Sequence, residues 1–518
     1  MQERAAVARG ATSIYVANVV VVVTNTLYFI VLTNILRSTL SVGILTALNL
    51  MIWLLVTLSI LAQPVTMQSP VPAPPAVLKF VPEFLARKAY SAARRALSTS
   101  FLTSVVIAVL LSGVLVISPG FAIALLGGSI VPLLVQLSAA DVILLVLGQV
   151  CLASLMSKGE TLSASRYMIL WSVLRYAAAS VLLFTYSIEG VLIGWIIGDG
   201  LLVLVAIRQA FGTLHAGTQS SEFCLRDFMR YSSYTLLSAL LGYIINQADK
   251  ILTLAQKGLS ELAIYNVAMA AASFAGLAPY VLTIALLPSL SSLHASHQVC
   301  EMREIVRQYS RYVSLMVIPI AMGLAASTEV ALRIFGPAYV SGLLPSVIVS
   351  LASGLTAFGA VYAAALLAVG DLRWYTGANV VGVLGLGAVA YFATPLLGLS
   401  GPALGRATLM ALAALLYAYS ARRHGFLGFD ARAFFSAAVG SIPMGAVIFV
   451  VLSLSQSFLM QLAMLPLVIV IGAFLYLLAL RAVKSLNAQD FQFFQEMGPA
   501  RLHKIVVLLA RIAGVSVN

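Results

Sequence analysis

Charged residues are scarce in this chain: Lys, Arg, Asp and Glu make up 9% of its 518 residues, whereas hydrophobic residues make up 61%. A soluble domain of this length cannot hide that much apolar surface from water. Cysteines are also few, and Cys151, Cys224 and Cys300 form no CxxC motif, so neither a disulfide framework nor a zinc site has support. These scarcities exclude a soluble domain and predict an integral membrane protein.

The chain instead contains many long apolar runs. A hydrocarbon core about 30 Å thick needs roughly 20 helical residues, and about fourteen runs are long enough. Because they are continuous rather than alternating, they indicate helices and exclude the strands of a membrane barrel. We predict an all-α protein with spans at 12–36, 41–62, 98–118, 129–156, 166–185, 188–209, 230–254, 262–288, 309–332, 339–369, 373–394, 399–420, 433–454 and 460–482.

Basic residues fall almost entirely in every second gap between these spans. Of the 30 Lys and Arg residues, 24 lie in alternate gaps or at the span ends that border them. This predicts a cell (plasma) membrane protein in which those gaps and both termini face the cytoplasm. The opposite gaps and the span ends beside them hold Arg37, Lys250, Lys257 and Arg333, and Arg175 and Arg406 lie well within spans. The net charge of +13 is therefore explained by membrane topology, and no nucleic-acid partner is expected.

Two segments outside the spans have the mixed apolar and basic character of interfacial helices. Residues 77–96 follow a proline-rich stretch at 63–75 and alternate Phe and Leu with Lys and Arg. Residues 499–513 repeat that mixture near the C-terminus. We predict a helix in the headgroup layer at each.

The two halves of the chain contain a short internal repeat. Residues 32–44 align with 252–264 with one gap, about 220 residues and six spans apart. An even number of spans gives both copies the same orientation, so the repeat predicts a pseudo-two-fold axis along the membrane normal. The predicted organisation is two six-helix bundles, a terminal helix pair and a cytoplasmic tail with an amphipathic helix, at residues 1–220, 221–425, 426–484 and 485–518.

Several motifs of the second half occur in a specific order. They are IINQADKILTLAQKGLSELAIYNVA at 244–268, PSLSS at 288–292, IFGPAYVSG at 334–342, AAALLAVGD at 363–371 and LGLSGPA at 397–403. With KFVPEFLARKAYSAARRA at 79–96, this arrangement resembles the polysaccharide transporter (Wzx-like) branch of the multidrug/oligosaccharidyl-lipid/polysaccharide (MOP) exporter superfamily. The resemblance covers roughly residues 10–425, and the proline-rich 63–75 departs from it.

The resemblance implies a MOP/MATE-like fold and a flippase, not an enzyme. Its substrate would be a polyprenyl- or dolichyl-(di)phosphate-linked oligosaccharide, moved from the inner to the outer leaflet by alternating access for cell-surface glycan assembly. The implied partners are this lipid-linked glycan and membrane lipids. The protein would be a monomer, with glycan-assembly enzymes as possible associates, and would need no cofactor. A coupling cation, Na⁺ or H⁺, is left open.

Ionisable residues inside spans are costly and need an explanation. Arg175 and Asp199 lie about 12 residues before and after the turn near Ser187, so a helical hairpin brings them to one depth. We predict an ion pair between them. Two roles stay open: a fixed link between helices, or an arginine that meets substrate phosphate or sugar in a cationic cavity. Asp141 is expected close to the surface, as a helix-end charge.

Other polar residues are further candidates for lining a substrate cavity. Asn246, Asp249 and Lys250 lie near the outer end of the seventh span, where a lock between bundles and contact with sugar hydroxyls are both open. Arg406 is a second candidate for a phosphate contact. Arg37 and Arg333 are candidates for an external basic rim, although lone rim arginines are more often membrane anchors.

Three competing functions remain. A cation-coupled multidrug or organic-solute antiporter of the same superfamily would need carboxylates within the bundles, and Asp199 and Asp249 qualify. Lipid II flippase activity is an alternative within the family. An integral membrane glycosyltransferase would need an acidic pair or DxD motif at a helix end, which the chain lacks. His294 and His297 have the spacing of some metal sites but lack a third ligand, so no metal site is predicted.

Overall fold

The computed structural model describes residues 2–59, 76–212, 223–276, 286–287, 289–455, 457–487 and 490. The regular structure of these residues is entirely helical. The α-helices, numbered α1 to α15, are Gln2–Leu36, Thr39–Ser59, Ala76–Ala86, Tyr90–Ile117, Pro119–Leu125, Pro132–Ser157, Thr161–Gly212, Leu225–Lys257, Leu259–Ala272, Val299–Phe335, Leu343–Val369, Leu372–Leu397, Ser400–Arg423, Ala431–Leu454 and Phe458–Ala482. Two predicted segments, the proline-rich 63–75 and the interfacial helix at 499–513, lie outside the described residues.

Eleven helices among the described residues are long and apolar enough to cross a membrane, which confirms the multi-pass class. The predicted number of fourteen is not confirmed, for two reasons. The candidate Thr161–Ala210 is a single element of 50 residues that covers two predicted spans. The seventh and eighth predicted spans correspond to α8, which carries several polar residues, and to the short apolar helix Leu259–Ala275.

The chain divides into two compact units, Met1–Ile264 and Tyr265–Asn518. In the first unit, α7 packs along α1 and α6, and α6 also packs on α4 and α2. Small and medium side chains such as Ala17, Leu48, Val142 and Leu152 are fully or almost fully buried there. In the second unit, α13 packs on α11 and α12, while α10 packs on α11 and α14. The finer division into bundles and a terminal pair stays a prediction.

The helix α7 is a tight antiparallel hairpin. Ser187 interrupts it with φ 53° and ψ −128°. A Cβ added at Gly194 would lie 2.3 Å from the Cα of Ala179, and one at Gly198 would lie 2.3 Å from the Cα of Arg175. These glycines therefore allow the two legs to touch backbone to backbone, which fixes which residues face each other.

The second unit contains a similar glycine-lined hairpin, formed by α12 and α13. Gly398 stands at their junction with φ 58° and ψ −134°, close to the values of Ser187. A Cβ at Gly401 would lie 2.4 Å from the nitrogen of Thr394, and one at Gly405 would lie 2.8 Å from the carbonyl oxygen of Leu386. Counted from the turn residue, Gly194 and Gly405 occupy the same position, seven residues after it.

The junctions at the two copies of the sequence repeat also share a geometry. Arg37 lies between α1 and α2 with φ 50°, and its N–H donates to the Thr33 carbonyl at 3.2 Å. Gly258 lies between α8 and α9 with φ 83°, and its N–H donates to the Leu254 carbonyl at 3.0 Å. In both copies a left-handed residue ends one helix and lets the next begin almost at once.

The predicted helix at 77–96 is not continuous. α3 ends at Ala86, Lys88 adopts φ 57°, and α4 begins at Tyr90. A left-handed residue ends the helical hydrogen-bond pattern, so the segment becomes a short helix followed by the start of a spanning one. Val77 and Val81 on α3 are buried, so one face of α3 packs into the first unit.

Candidate functional site: a buried arginine between two aspartates

The α7 hairpin brings Arg175 and Asp199 together, as predicted. An Arg175 guanidinium nitrogen contacts Asp199 Oδ2 in a very short hydrogen bond. Both residues are buried, with 3% of Arg175 and 0% of Asp199 exposed. The predicted ion pair is confirmed, and its cause is the glycine-lined hairpin, which places the two positions opposite each other.

Asp141 on α6 is the second carboxylate of this centre, and the expectation that it lies near the surface is wrong. It is fully buried, and its Oδ2 lies 3.0 Å from the Arg175 Nη2. Its Oδ1 lies 3.4 Å from Nη1. An aspartate within the apolar run AADVILLVL could have signalled this burial, but its partner is on another helix. We call Arg175, Asp141 and Asp199 the Arg175 centre.

Aromatic side chains surround the Arg175 centre. Trp171 Nε1 donates a 2.6 Å hydrogen bond to Asp199 Oδ1, and the Trp195 ring lies 4.8 Å from the guanidinium carbon. Tyr28 of α1 stacks on Tyr176 with ring centroids 4.9 Å apart. The guanidinium is thus held by charge-assisted hydrogen bonds to carboxylates and by the face of an indole ring.

Two polar atoms beside this centre lack a well-formed hydrogen bond in the described structure. Tyr28 Oη and Trp195 Nε1 are buried, and neither makes a hydrogen bond of good geometry with a described residue. Buried polar groups are normally satisfied by protein or by ordered water. The Tyr28 hydroxyl and the Trp195 N–H lie close enough to interact with each other, so these two groups satisfy part of each other's hydrogen-bonding capacity.

The charges of the Arg175 centre do not balance when both carboxylates are ionised. One guanidinium faces two carboxylates, and all three side chains are buried. Either carboxylate alone can neutralise the arginine, so the centre holds one carboxylate more than its guanidinium needs. The arrangement can thus serve as a stable link between α6 and α7 or as a point where charge changes.

The other predicted cavity residues of the first unit lie on α8. Asp249 is fully buried, Lys250 is half-buried, and Asn246 Nδ2 donates to the Gly242 carbonyl at 2.8 Å. Asn246, Asp249 and Lys250 share one face of the helix through their i, i+3 and i+4 spacing. Gln247 Oε1 is buried without a hydrogen-bond partner among the described residues. These residues belong to a different helix from those of the Arg175 centre.

The remaining candidates are separated along the chain. Arg406 is half-buried on α13, and Arg37 is exposed at the α1–α2 junction. Arg333, near the end of α10, pairs with Glu329 at 2.5 Å and donates to Gln461 Oε1 at 3.2 Å. Arg37 and Arg333 are thus both accessible at helix ends, and their role in a rim stays a prediction.

A second arginine with two carboxylates occurs in the other unit, and the sequence reasoning missed it. Arg311 lies 2.8 Å from Asp490 Oδ1 and 3.1 Å from Asp430 Oδ2, and it also donates to the Ser485 carbonyl. Asp430 caps α14 by accepting the Ala433 N–H. Partial burial opposes ionisation of Asp430, but the hydrogen bonds from Ala433 and Arg311 outweigh it and lower the pKa of this carboxyl. We call this group the Arg311 clamp.

Among the described residues, no group of three or more His, Cys, Asp or Glu side chains is arranged to hold a metal ion. This holds for the described His294 and His297 as well as for the Arg175 centre.

A known protein family covers half of this sequence. Residues 81–341 match the family described as polysaccharide biosynthesis protein. The chain belongs to this family. No curated protein sequence matches this polysaccharide biosynthesis family member.

Solved structures identify the fold of this polysaccharide biosynthesis family member. It is similar to a lipid II flippase MurJ in an inward closed conformation, with a TM-score of 0.63 and 12% identity over 90% of this chain and 98% of the other. It is also similar to a point mutant of the Vibrio cholerae MATE transporter VcmN, with a TM-score of 0.59 and 13% identity over 82% and 98% of the two chains. An inward-facing multidrug resistance MATE transporter of the MOP superfamily gives a TM-score of 0.60 and 14% identity over 80% and 95%.

These likenesses confirm the predicted fold class. At identities of 12–14%, they establish a common helical architecture. The family and the fold together confirm the resemblance seen in the sequence motifs. Because eleven helices among the described residues are long and apolar enough to cross a membrane, this family member is a multi-pass membrane protein.

Proposed function

We propose that this protein is a flippase that moves a polyprenyl- or dolichyl-(di)phosphate-linked oligosaccharide from the inner to the outer leaflet. The observation that carries the proposal is the match of residues 81–341 to a polysaccharide biosynthesis family in a chain with a flippase-type fold. Glycans assembled on a lipid carrier inside the cell must cross the membrane before they can be used at the surface. A transporter of this family would supply that step by alternating access.

The amphipathic structure of the proposed substrate explains why the spans contain few charged residues. The hydrocarbon chain of the lipid stays in the bilayer, so the phosphate and the glycan alone need a polar path. A few cations neutralise the phosphate, while a larger number would hold the anion and prevent its release. The predicted spans hold two basic residues well inside them, Arg175 and Arg406, which agrees with such a weakly cationic path.

We assign different parts of this path to different residues. Asn246, Asp249 and Lys250 supply hydroxyl-binding groups, and Arg406 supplies a cation for phosphate. Arg175 is bonded to two carboxylates in this conformation, so it contacts substrate in another state of the cycle, when a carboxylate releases it. Arg37 and Arg333 form the outer rim.

The predicted topology and organisation complete the proposal. Both termini face the cytoplasm of the plasma membrane, and the chain works as two six-helix bundles with a terminal helix pair. The working form is a monomer, and glycan-assembly enzymes are the natural neighbours, because they make the substrate and use the product. The basic residues concentrated in alternate gaps support this orientation.

The test is reconstitution into vesicles with a fluorescent polyprenyl-diphosphate glycan. Leaflet accessibility of the fluorophore should change faster in vesicles that contain the protein. Arg175→Gln should slow this movement at least tenfold at equal protein abundance. Arg311→Gln is the matched control, because it removes an arginine from a similar pair of carboxylates outside the proposed path. Equal loss in both variants would attribute the effect to stability, and normal transport by Arg175→Gln would remove Arg175 from the proposal.

The second candidate is a cation-coupled drug or organic-solute antiporter of the same superfamily. The Asp141–Asp199 pair favours it, because the pair supplies one more buried carboxylate than the arginine needs. In the same vesicles, an imposed Na⁺ or H⁺ gradient should then drive uptake of an organic cation. Such uptake without movement of the glycolipid would favour the antiporter over the flippase.

A further inference from the structure

The second unit contains an apolar groove whose lining includes none of the residues assigned to the transport path, although the rim residue Arg333 stands at one end of it. It has a volume of about 460 Å³ and lies between α10, α11 and α14, with Gln461 of α15 at one end. Its walls are apolar and include Met322, Val330, Val347, Leu351, Ile442 and Phe449. Leu351, Ile442 and Phe449 are exposed, so the groove opens sideways along the surface of the helices.

The length of this groove matches one leaflet of a bilayer. Along α14 it runs from Ile442 to Ser453, 11 residues that span about 16 Å of helix. Half of a hydrocarbon core about 30 Å thick is about 15 Å. One end lies where α14 gives way to α15, after Leu454, and therefore at a membrane surface. A groove of this depth accommodates one alkyl chain of one leaflet.

A pair of opposite charges stands at the surface end of the groove. Glu329 lines the groove and pairs with Arg333 one helical turn further along α10. Both side chains are partly exposed and can therefore contact a lipid headgroup: 41% of Glu329 and 33% of Arg333 is exposed. Arg333 also donates to Gln461, and Gln461 Nε2 donates to the Leu452 and Ser455 carbonyls. The surface end of the groove is therefore polar, is fixed by hydrogen bonds and is close to neutral in net charge.

We propose that this groove holds one acyl chain of a zwitterionic phospholipid with a primary amine, such as phosphatidylethanolamine. Arg333 receives the phosphate and Glu329 receives the ammonium group, so each half of the headgroup meets its opposite charge. An anionic headgroup would satisfy Arg333 but bring its negative charge against Glu329. The site depends on the membrane-spanning fold and not on the proposed glycan substrate.

Native mass spectrometry of the full-length protein in detergent tests this proposal. Phosphatidylethanolamine added at increasing concentration should give one retained lipid per chain, with at least tenfold higher affinity than phosphatidylglycerol. Ala446→Phe fills the groove with a side chain and should lower that affinity at least tenfold. Ala473→Phe places the same ring on an exposed position of α15 outside the groove and should leave binding unchanged. Thermal denaturation should show the lipid raising the midpoint for Ala473→Phe but not for Ala446→Phe.

Arg333→Gln separates the headgroup contact from the acyl contact. It should reduce the preference for phosphatidylethanolamine over phosphatidylglycerol while some lipid binding persists. Equal retention of phosphatidylethanolamine by Ala446→Phe and the native protein would overturn the proposal. So would a preference for phosphatidylglycerol, tighter binding of a polyprenyl phosphate that depends on Ala446, or a dimer of the chain that Ala446→Phe dissociates.

Discussion

The Arg175 centre predicts that its two carboxylates are redundant. Asp141→Asn and Asp199→Asn each leave the guanidinium with one carboxylate, whereas the double variant leaves a buried arginine with none. Asp199 accepts from Trp171 as well as from Arg175, so its loss should cost more than the loss of Asp141. The stability of the four proteins should therefore be non-additive.

The magnitudes follow from the burial of the centre. Loss of a hydrogen bond to a charged group costs about 1.5–3 kcal/mol, and removal of the surplus negative charge offsets part of this cost. We expect a cost of about 1 kcal/mol for Asp141→Asn and about 2 kcal/mol for Asp199→Asn. A buried charge with no partner costs about 3–5 kcal/mol, so the double variant should lose more than the sum of the single variants, by roughly 2 kcal/mol.

Denaturation of the purified protein in micelles, followed by tryptophan fluorescence, measures this cycle. Glu83→Gln is the control, because the Glu83–Arg87 pair is exposed and should contribute no more than about 0.5 kcal/mol. A double variant that costs no more than the two single variants together would refute the redundancy. Equal costs for all three variants would refute it as well.

A compensating variant keeps the test usable when the double variant does not fold. Counted from their turns, Arg175 and Asp199 correspond to Leu386 and Met410 in the second unit. Replacing Arg175 by Leu and Asp199 by Met, together with Asp141→Asn, removes every charge from the centre. This triple variant should be more abundant in membranes than the double variant, because no unpaired charge stays buried. Lower abundance of the triple variant would contradict the charge argument.

Further predictions concern the hairpin turns, the glycine contacts and the Arg311 clamp. Both hairpin turns have a residue with positive φ, so Ser187→Gly should raise the stability by about 0.5–1 kcal/mol and Gly398→Ala should lower it by at least about 1 kcal/mol. Denaturation experiments in which Ser187→Gly destabilises or Gly398→Ala stabilises the protein would contradict this. Gly194→Ala should sharply reduce the amount of folded protein, whereas Gly113→Ala, with open space around it, should be tolerated; equal yields would show that the hairpin legs can separate. Asp430→Asn keeps the helix cap and removes only the charge. The native protein should therefore be more stable than this variant above about pH 4, and the difference should vanish as pH falls through the lowered pKa of Asp430. A stability difference that is constant down to about pH 3 would contradict the ionic contribution.

The sequence predicted those parts of the molecule that depend on local patterns. Predicted spans such as 433–454 and 460–482 lie within a few residues of Ala431–Leu454 and Phe458–Ala482, because an apolar run must be as long as the bilayer is thick. The Arg175–Asp199 pair was predictable for a similar reason. A tight hairpin about Ser187 puts residues at equal distances from the turn beside each other.

Contacts between distant helices were not predictable in this way. Asp141 lies 34 residues from Arg175, and no periodicity relates the two positions. The Arg311 clamp joins residues more than 100 positions apart. In both cases the sequence shows that a charge needs a partner but not which helix supplies it.

The sequence by itself determined the class, the approximate positions of the spans and the internal repeat, because hydropathy and turn residues act over short distances. The tertiary structure alone decided that Asp141 completes a buried triad, that α3 and α4 are separate helices, and that a lipid-sized groove lies between α10, α11 and α14. These features arise from packing, in which the energy of a side chain depends on neighbours brought in from elsewhere in the chain.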